Sequence, residues 1–185
     1  MKKLLLIPIV LFSFLSFAQE DYVKKANDNL ERGNRRGAIE MATKAIEQNP
    51  NNNEALWIRV RALLSGDPRE EQLNNAISDL NQMISSGVET AKVYTMLGVA
   101  EYELGGYIYR WKKAKENTGF SDDNSAYIKE QTAYYNEAVN HYESSIKAYK
   151  KAVEIDISKT ESLTYKVKDA ERYIQEVREK IKELK

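Results

Sequence analysis

Small and apolar residues recur every three or four positions through most of the chain, a spacing that predicts amphipathic α-helices. The second predicted helix carries three small residues on one face, Ala38, Ala42 and Ala45, which allow a neighbouring helix to approach closely. Gly33 precedes this helix and Pro50 follows it. Glycine accepts the left-handed backbone that ends many helices, and proline lacks the N–H that a helix interior needs. The pattern therefore predicts short helices that are joined by tight turns.

The same layout returns further along the chain. Tyr22, Leu56 and Tyr94 fill equivalent positions, which are 34 and then 38 residues apart. The second unit predicts helices over residues 54–65 and 68–85, with Asp67 as the N-cap of the latter helix. We therefore expect a series of helix-turn-helix units.

These units resemble the tetratricopeptide repeat family. Its 34-residue motif has an aromatic residue, a Leu-Gly pair, a helix-ending glycine, spaced alanines and a closing proline. The first unit matches this motif at Tyr22, Ala26, Gly33, Ala38, Ala45 and Pro50. The third unit matches it at Tyr94, Leu97, Gly98 and Gly105, whereas the second has Val88 in place of the proline. The resemblance implies an all-α, helix-turn-helix solenoid of about three repeats over residues 19–106.

The pattern changes after residue 106. Residues 107–125 are expected to form an extension and a polar loop, and residues 126–185 a long helical hairpin that completes and caps the solenoid. Ser158 and Glu161 have the spacing of a capping box at the start of the second hairpin helix. That helix carries a heptad seam, made of Leu163, Val167, Ala170, Ile174, Val177, Ile181 and Leu184. The short connection favours packing of the seam on the preceding helix, and a seam for a second chain is the alternative.

The first 18 residues have the three features of a secretory signal peptide. Lys2 and Lys3 supply positive charge, an apolar run follows, and small residues predict cleavage between Ala18 and Gln19. The apolar run is shorter than the about 20 residues that span a bilayer, and an uncleaved anchor is the alternative. We therefore expect a periplasmic or secreted protein without a membrane span after cleavage.

Charge and cysteine content narrow the functional classes. The chain has 28 Lys and Arg residues against 28 Asp and Glu residues, so removal of Lys2 and Lys3 with the signal peptide leaves a net charge of 26 − 28 = −2. A nucleic-acid-binding protein needs a basic surplus to displace counterions, so nucleic acid is not an expected partner. The sequence has no cysteine, which excludes disulfides, thiolate chemistry and lipidation of an N-terminal cysteine.

No set of residues in the sequence forms a recognisable catalytic or metal-binding motif. His141 is the single histidine and lies in a predicted helix, where a packing or surface role is expected. Asp122, Asp123 and Asn124 lack the glycine and the terminal glutamate of a calcium loop. Most of the twelve tyrosines fall at helical spacing, which favours a packing role. We therefore expect a non-enzymatic protein without a cofactor or a metal.

In tetratricopeptide proteins the first helices of successive units line a concave groove that holds a peptide. This register implies groove-facing, partner-binding candidates at Lys24, Asn27, Trp57, Arg61, Thr95, Val99 and Tyr102. Trp57 and Arg61 lie one helical turn apart and are of residue types enriched in hot spots, although burial of Trp57 between helices is the alternative. The family's clamp for a peptide carboxylate falls here on Val23, Asn27, Ile58, Lys92 and Met96. Only Asn27 and Lys92 match that clamp, which argues against recognition of a chaperone tail.

The expected function is that of an exported, non-enzymatic adaptor or scaffold whose groove binds a peptide or protein segment of the cell envelope. A structural homo-oligomer, such as a homodimer joined through the heptad seam, is the second hypothesis. Binding of a small ligand or a glycan ranks third. The glycan-binding lipoproteins that contain such repeats are much longer and carry a lipidated cysteine.

Overall fold

The computed structural model describes residues 21–113 and 125–184. The predicted signal peptide with its cleavage site between Ala18 and Gln19 lies outside these residues. So do residues 122–124 and most of the predicted polar loop.

Helices make up most of the described residues, and no strand occurs among them. α1 covers residues 21–31. The following helices are α2 Arg35–Gln48, α3 Asn53–Leu63, α4 Glu70–Ser85, α5 Ala91–Trp111, α6 Ser125–Ile155 and α7 Thr160–Glu183. The expected all-α class, with helix-turn-helix units and a long C-terminal hairpin, is confirmed. Within the two described ranges, no helix combines the length and the apolar character that a membrane crossing requires.

The turns around α2 form where the sequence places glycine and asparagine. Gly33 follows α1 with a φ of 73°, a left-handed conformation that glycine adopts without strain. The Asn34 side chain then accepts a hydrogen bond from the N–H of Gly37 at 3.1 Å. Asn52 caps α3 in the same way, through the N–H of Ala55 at 3.0 Å. These caps satisfy N–H groups that a helix N-terminus otherwise leaves without a partner.

The predicted start of α4 at Pro68, with Asp67 as its N-cap, is wrong. α4 begins at Glu70, and the N–H of Leu73 donates the first helical hydrogen bond to the carbonyl of Arg69. The N–H of Arg69 in turn donates to the side chain of Gln72 at 3.1 Å. Gln72 therefore reaches back to the helix start, the role that a capping box normally gives to Glu or Gln.

The predicted capping box of Ser158 and Glu161 is also wrong. A short 3₁₀ helix, Ile157–Lys159, precedes α7, which begins at Thr160 without a side-chain cap. Asp156 caps the 3₁₀ helix instead, because its side chain accepts a hydrogen bond from the N–H of Ser158 at 3.0 Å.

The helices group into two compact units. Unit 1 contains the described residues up to Pro68 together with Ser78–Val88, and unit 2 contains Arg69–Ile77 together with the described residues from Glu89 onward. α4 therefore contributes its first half to unit 2 and its second half to unit 1. Residue 107, where the sequence analysis begins an extension, lies inside α5, which continues to Trp111.

Small residues bring α1, α2 and α3 together in unit 1. The shared core consists of Val23, Ala26, Ala42, Ala45, Ala55 and Ile58. Arg59 of α3 joins the second half of α4 through two hydrogen bonds to the carboxylate of Asp79, at 2.7 and 2.8 Å. The same guanidinium donates to Thr43 of α2 at 3.1 Å. Asp79 is only 2% exposed, so a nearly buried ion pair fixes three helices to one another.

Two glycines bring α5 and α6 together in unit 2. A Cβ at Gly98 would lie 2.5 Å from the ring of Tyr149, and a Cβ at Gly105 would lie 3.1 Å from the carbonyl oxygen of Ala138. The two helices run antiparallel, since the later glycine meets the earlier part of α6. By the family motif Gly105 was expected to end a helix, and this expectation is wrong. Gly105 remains inside α5 and permits close packing instead.

Candidate functional site

Four of the seven groove candidates lie in unit 1. Lys24 and Asn27 belong to α1, and Trp57 and Arg61 belong to α3. Lys24 and Arg61 are exposed, and neither forms an ion pair within the described part of the chain. Asn27 and Trp57 are half-buried, and the Asn27 amide donates to Glu31 at 2.8 Å. Arg61 therefore lies one helical turn from a partly exposed indole, and α1 adds a second exposed cation, Lys24, to the same unit, residue types suited to a partner surface.

The clamp positions of unit 1 cannot hold a carboxylate. Val23 and Ile58 are buried in the core that joins α1, α2 and α3. Asn27 is the only member of that clamp in unit 1 with a polar side chain.

The other three groove candidates lie in unit 2, where their side chains contact other parts of the same unit. The Thr95 hydroxyl donates to the carbonyl of Ala91 at 2.7 Å. Val99 packs against a buried cluster that includes Tyr149 and Leu163. The Tyr102 hydroxyl donates to Asp169 of α7. Val99 and Tyr102 therefore pack inside unit 2, and the expectation that they face a groove is wrong.

Two tyrosines of α5 form a ladder with two carboxylates of α7. Tyr102 donates to Asp169, and seven residues later Tyr109 donates to Glu176 at 2.8 Å. The acceptors are also seven residues apart, so both bonds span 67 residues and the two helices run parallel. The ladder fixes the register of α7 against α5.

The rings of this region stack on one another. Tyr142 of α6 lies parallel to Tyr173 of α7, with ring centroids 5.5 Å apart. Tyr102 approaches the same two rings edge-on, at 5.5 and 6.0 Å. Aromatic pairs of this geometry add about 0.5–1.5 kcal/mol each beyond their area burial. The rings and the ladder together hold α5, α6 and α7 as one packed layer.

The ladder perturbs the ionisation of its members. Burial, together with the hydrogen bond to Asp169, raises the pKa of Tyr102 well above its ordinary value. The hydrogen bonds donated by Tyr102 and Arg172 hold the pKa of the Asp169 carboxyl below its usual range. At neutral pH the Tyr102 phenol therefore stays neutral and the Asp169 carboxylate stays ionised, which are the protonation states that this hydrogen bond requires.

His141 has a structural partner in unit 2. Its Nδ1 lies 2.6 Å from a carboxylate oxygen of Glu101, and both side chains are partly buried between α6 and α5. In the described ranges, no three His, Cys, Asp or Glu side chains are grouped as metal ligands would be. The geometry supports the expected packing role of His141.

The heptad seam of α7 is turned into the chain. Leu163, Ala170, Ile174 and Val177 are buried. Leu163 and Val167 pack against Tyr149, Ala152 and Val153 of α6. The last two seam residues, Ile181 and Leu184, are half-buried. The surface that motivated the homo-oligomer hypothesis is thus largely covered by the chain itself.

A cleft of about 430 Å³ opens between α6 and α7. Tyr149, Val153, Leu163 and Val167 supply its apolar floor. Lys150 of α6 and Lys168 of α7 stand at its rim. The heptad spacing predicts Leu163 and Val167 on the seam, but it does not predict the cleft or its two lysines. No local sequence signal predicts it, because the cleft depends on the angle at which α7 packs on α6.

No known family model matches the chain, and no curated protein matches it. Among solved structures, a crystal structure of MamA protein aligns with 88% of this chain and 91% of its own length, at 18% sequence identity and a TM-score of 0.40.

Proposed function

We propose that the protein is an exported, non-enzymatic interaction scaffold. It binds a peptide or a segment of another envelope protein on the unit 1 face, which we define by Lys24, Asn27, Trp57 and Arg61. No enzymatic step and no cofactor is part of this proposal.

The exposed cations of the unit 1 face carry the proposal. Lys24 and Arg61 are exposed and lack an ion-pair partner in the described part of the chain, so they keep their charges available for a ligand. By contrast, the exposed cations Lys25 and Lys44 of the same unit are paired with carboxylates of their own helices, Asp21 and Glu40. Arg61 also lies one turn from Trp57, and these are two of the residue types that most often dominate binding energies. A partner with an apolar anchor between acidic groups fits this face best.

Unit 2 supports the choice of unit 1 for this site. Its corresponding candidates Val99 and Tyr102 contact α6 and α7 rather than solvent. α7 also presents a mostly charged surface away from its seam, the character expected of a helix that caps a repeat array. The polar outer face of α7 and the burial of its seam favour a capping role over assembly with a second chain.

Export rests on the signal-peptide pattern of residues 1–18. Expression of the full chain in a Gram-negative host, followed by fractionation and intact-mass analysis, tests it. We expect a periplasmic or secreted product that begins at Gln19. A full-length product in the membrane fraction would support the uncleaved anchor instead.

Co-isolation from the native envelope tests the binding function. The tagged protein is cross-linked, purified and compared with the double variant Trp57→Ala/Arg61→Ala. Removal of two hot-spot side chains is expected to reduce partner recovery by about tenfold or more, since each costs roughly 1–2 kcal/mol.

Two further variants separate loss of binding from loss of folding. Arg61→Glu changes only an exposed side chain, and we expect it to weaken binding as well. Lys44→Ala/Glu40→Ala removes an exposed ion pair elsewhere in unit 1 and should leave recovery unchanged. A partner recovered equally with all variants would disprove the unit 1 face as the binding site.

A further inference from the structure

One hairpin of the chain is repeated at a distance of 107 residues. Residues 149–171 align with residues 42–64 without a gap, and six of the aligned pairs are identical. These pairs are Lys44/Lys151, Ala45/Ala152, Glu47/Glu154, Glu54/Glu161, Leu56/Leu163 and Val60/Val167. The first copy is the end of α2, the turn and α3, and the second copy is the end of α6, the turn and α7. The same pattern therefore builds one hairpin in each unit.

In unit 1 this hairpin is covered by a third helix. The second half of α4 and the residue that follows it contact the hairpin at three levels. Asp79 accepts from Arg59, Gln82 donates to the carbonyl of Pro50, and Ser86, directly after α4, donates to Asn53. The two apolar positions of α3 that are identical in both copies of the hairpin, Leu56 and Val60, are fully buried. The hairpin of unit 1 thus binds one further helix, the second half of α4, whose apolar residues Leu80 and Met83 are also buried.

In unit 2 the corresponding hairpin has an open cleft. The residues that line it all belong to α6 and α7. Val153 and Val167 remain half-buried, although Val60, which corresponds to Val167, is completely buried. The cleft volume of about 430 Å³ is roughly three times the ~150 Å³ that accepts a benzene ring, so it has room for two or three aliphatic side chains. An amphipathic helix presents side chains in that number at a spacing of three and four residues.

The charges at the rim define the occupant further. Lys150 and Lys168 form no ion pair within the described residues, whereas Glu154 is bonded to Lys151 at 3.2 Å. Glu171 adds one negative charge, so the mouth of the cleft retains a positive excess. In unit 1 the covering helix also brings a carboxylate, that of Asp79, to its hairpin. A helix whose aliphatic side chains are flanked by carboxylates is therefore complementary to both the apolar floor and the positively charged rim of the cleft.

We propose that the cleft between α6 and α7 is a second docking site, which accepts one amphipathic helix of a partner protein. The docked helix inserts aliphatic side chains over Tyr149, Val153 and Val167, and its carboxylates pair with Lys150 and Lys168. This site is distinct from the unit 1 face, and its occupation does not depend on Trp57 or Arg61.

A peptide copy of α4 provides the probe. The sequence of residues 67–88 carries Leu80 and Met83 on its apolar face and has a net charge of −3, from four acidic residues and one arginine. We expect the fluorescein-labelled peptide to bind the purified full chain saturably in fluorescence anisotropy. A peptide with Leu80→Asp should lose this binding, because its apolar face can no longer enter the cleft.

Matched charge reversals locate the bound peptide. Lys150→Glu/Lys168→Glu should weaken binding by about tenfold or more. Lys147→Glu/Lys166→Glu makes the same charge change at exposed positions of the same helices outside the cleft, and should change the affinity less than about twofold. Trp57→Ala/Arg61→Ala should also leave peptide binding unchanged, so failure of this proposal is separable from failure of the unit 1 proposal.

Three results would overturn the proposal. The first is the absence of saturable binding. The second is an equal loss of affinity in both lysine double variants, which would indicate general electrostatic attraction. The third is a concentration-dependent dimer in sedimentation that Lys150→Glu/Lys168→Glu dissolves, because the occupant would then be a second copy of the chain.

Discussion

Replacement of Gly98 by alanine is expected to destabilise the protein, although the same change elsewhere in α5 should stabilise it. Gly98 and Gly106 both lie inside α5, and neither has a positive φ. In an unobstructed helix interior, alanine is favoured over glycine by about 1 kcal/mol. The two positions differ only in what the added methyl group would meet.

The structure gives opposite surroundings at the two positions. A Cβ at Gly98 would lie 2.5 Å from the ring of Tyr149, which is 1% exposed and cannot move into solvent. Overpacking of this kind costs about 1–3 kcal/mol. At Gly106 the nearest atoms are 3.4 Å away and belong to the flexible end of Arg110. With the helix-propensity gain of about 1 kcal/mol, Gly98→Ala should cost up to about 2 kcal/mol and Gly106→Ala should gain about 0.5–1 kcal/mol.

Denaturant and thermal unfolding followed by circular dichroism at 222 nm measure the difference. For a chain of this size 1 kcal/mol corresponds to roughly 2–4 °C in Tm, so Gly98→Ala should lower Tm by up to about 4–8 °C and Gly106→Ala should raise it by a few degrees. A third variant isolates the cause. In a Tyr149→Ala background, Gly98→Ala should become stabilising because the obstructing ring is gone. The reasoning would be refuted by a Gly98→Ala variant at least as stable as the parent, or by an unchanged penalty in the Tyr149→Ala background.

Two further predictions concern ionised groups. Tyr102→Phe keeps the ring but removes the hydrogen bond to Asp169, and should cost about 1 kcal/mol at pH 7 in urea unfolding. That bond helps to hold the pKa of Asp169 below its unfolded value, so its contribution to stability is present above about pH 4 and is lost as the pH falls through the lowered pKa. The free energies of unfolding of Tyr102→Phe and the parent should therefore converge in acid. A difference in stability that stays constant with pH would contradict the assignment. Asp79→Ala leaves Arg59 without its buried partner and should cost about 3 kcal/mol, whereas Lys44→Ala, which removes an exposed pair, should leave the free energy of unfolding nearly unchanged.

Local patterns were sufficient to predict most of the helices and their turns. Gly33, Asn49 and Pro50 act through their own backbones, so their effect can be read without knowledge of the fold. The start of α4 was harder to predict, because Asp67 and Gln72 both offer a side chain to the helix start and the choice depends on packing. Gly105 shows the same difficulty, since a glycine can end a helix or permit close approach of another one.

The candidate site was predicted less completely than the fold. The four unit 1 candidates lie on α1 and α3 with two exposed cations, but Val99 and Tyr102 turned out to contact α6 and α7. The bond from Tyr102 spans 67 residues, and the pair Arg59–Asp79 spans 20. Neither contact has a local signature, because each depends on how separate helices pack. The cleft between α6 and α7 belongs to the same class of features.

The chain offers two surfaces of different character, each within its own unit. The unit 1 face combines exposed cations with an indole, and it suits a short segment with acidic groups. The cleft of unit 2 has an apolar floor and suits a helix. A scaffold with two such sites can hold two segments, and their contributions can be separated by the variants described above.

Site-specific photo-cross-linking in living cells tests the central claim, that a partner protein binds the unit 1 face, most directly. A benzophenone side chain is introduced at Lys24 or Arg61, and as a control at Lys44 on α2. The account predicts that irradiation traps one and the same protein from positions 24 and 61, and little or none from position 44. Absence of an adduct at both face positions, or an equal yield of the same adduct from position 44, would contradict it.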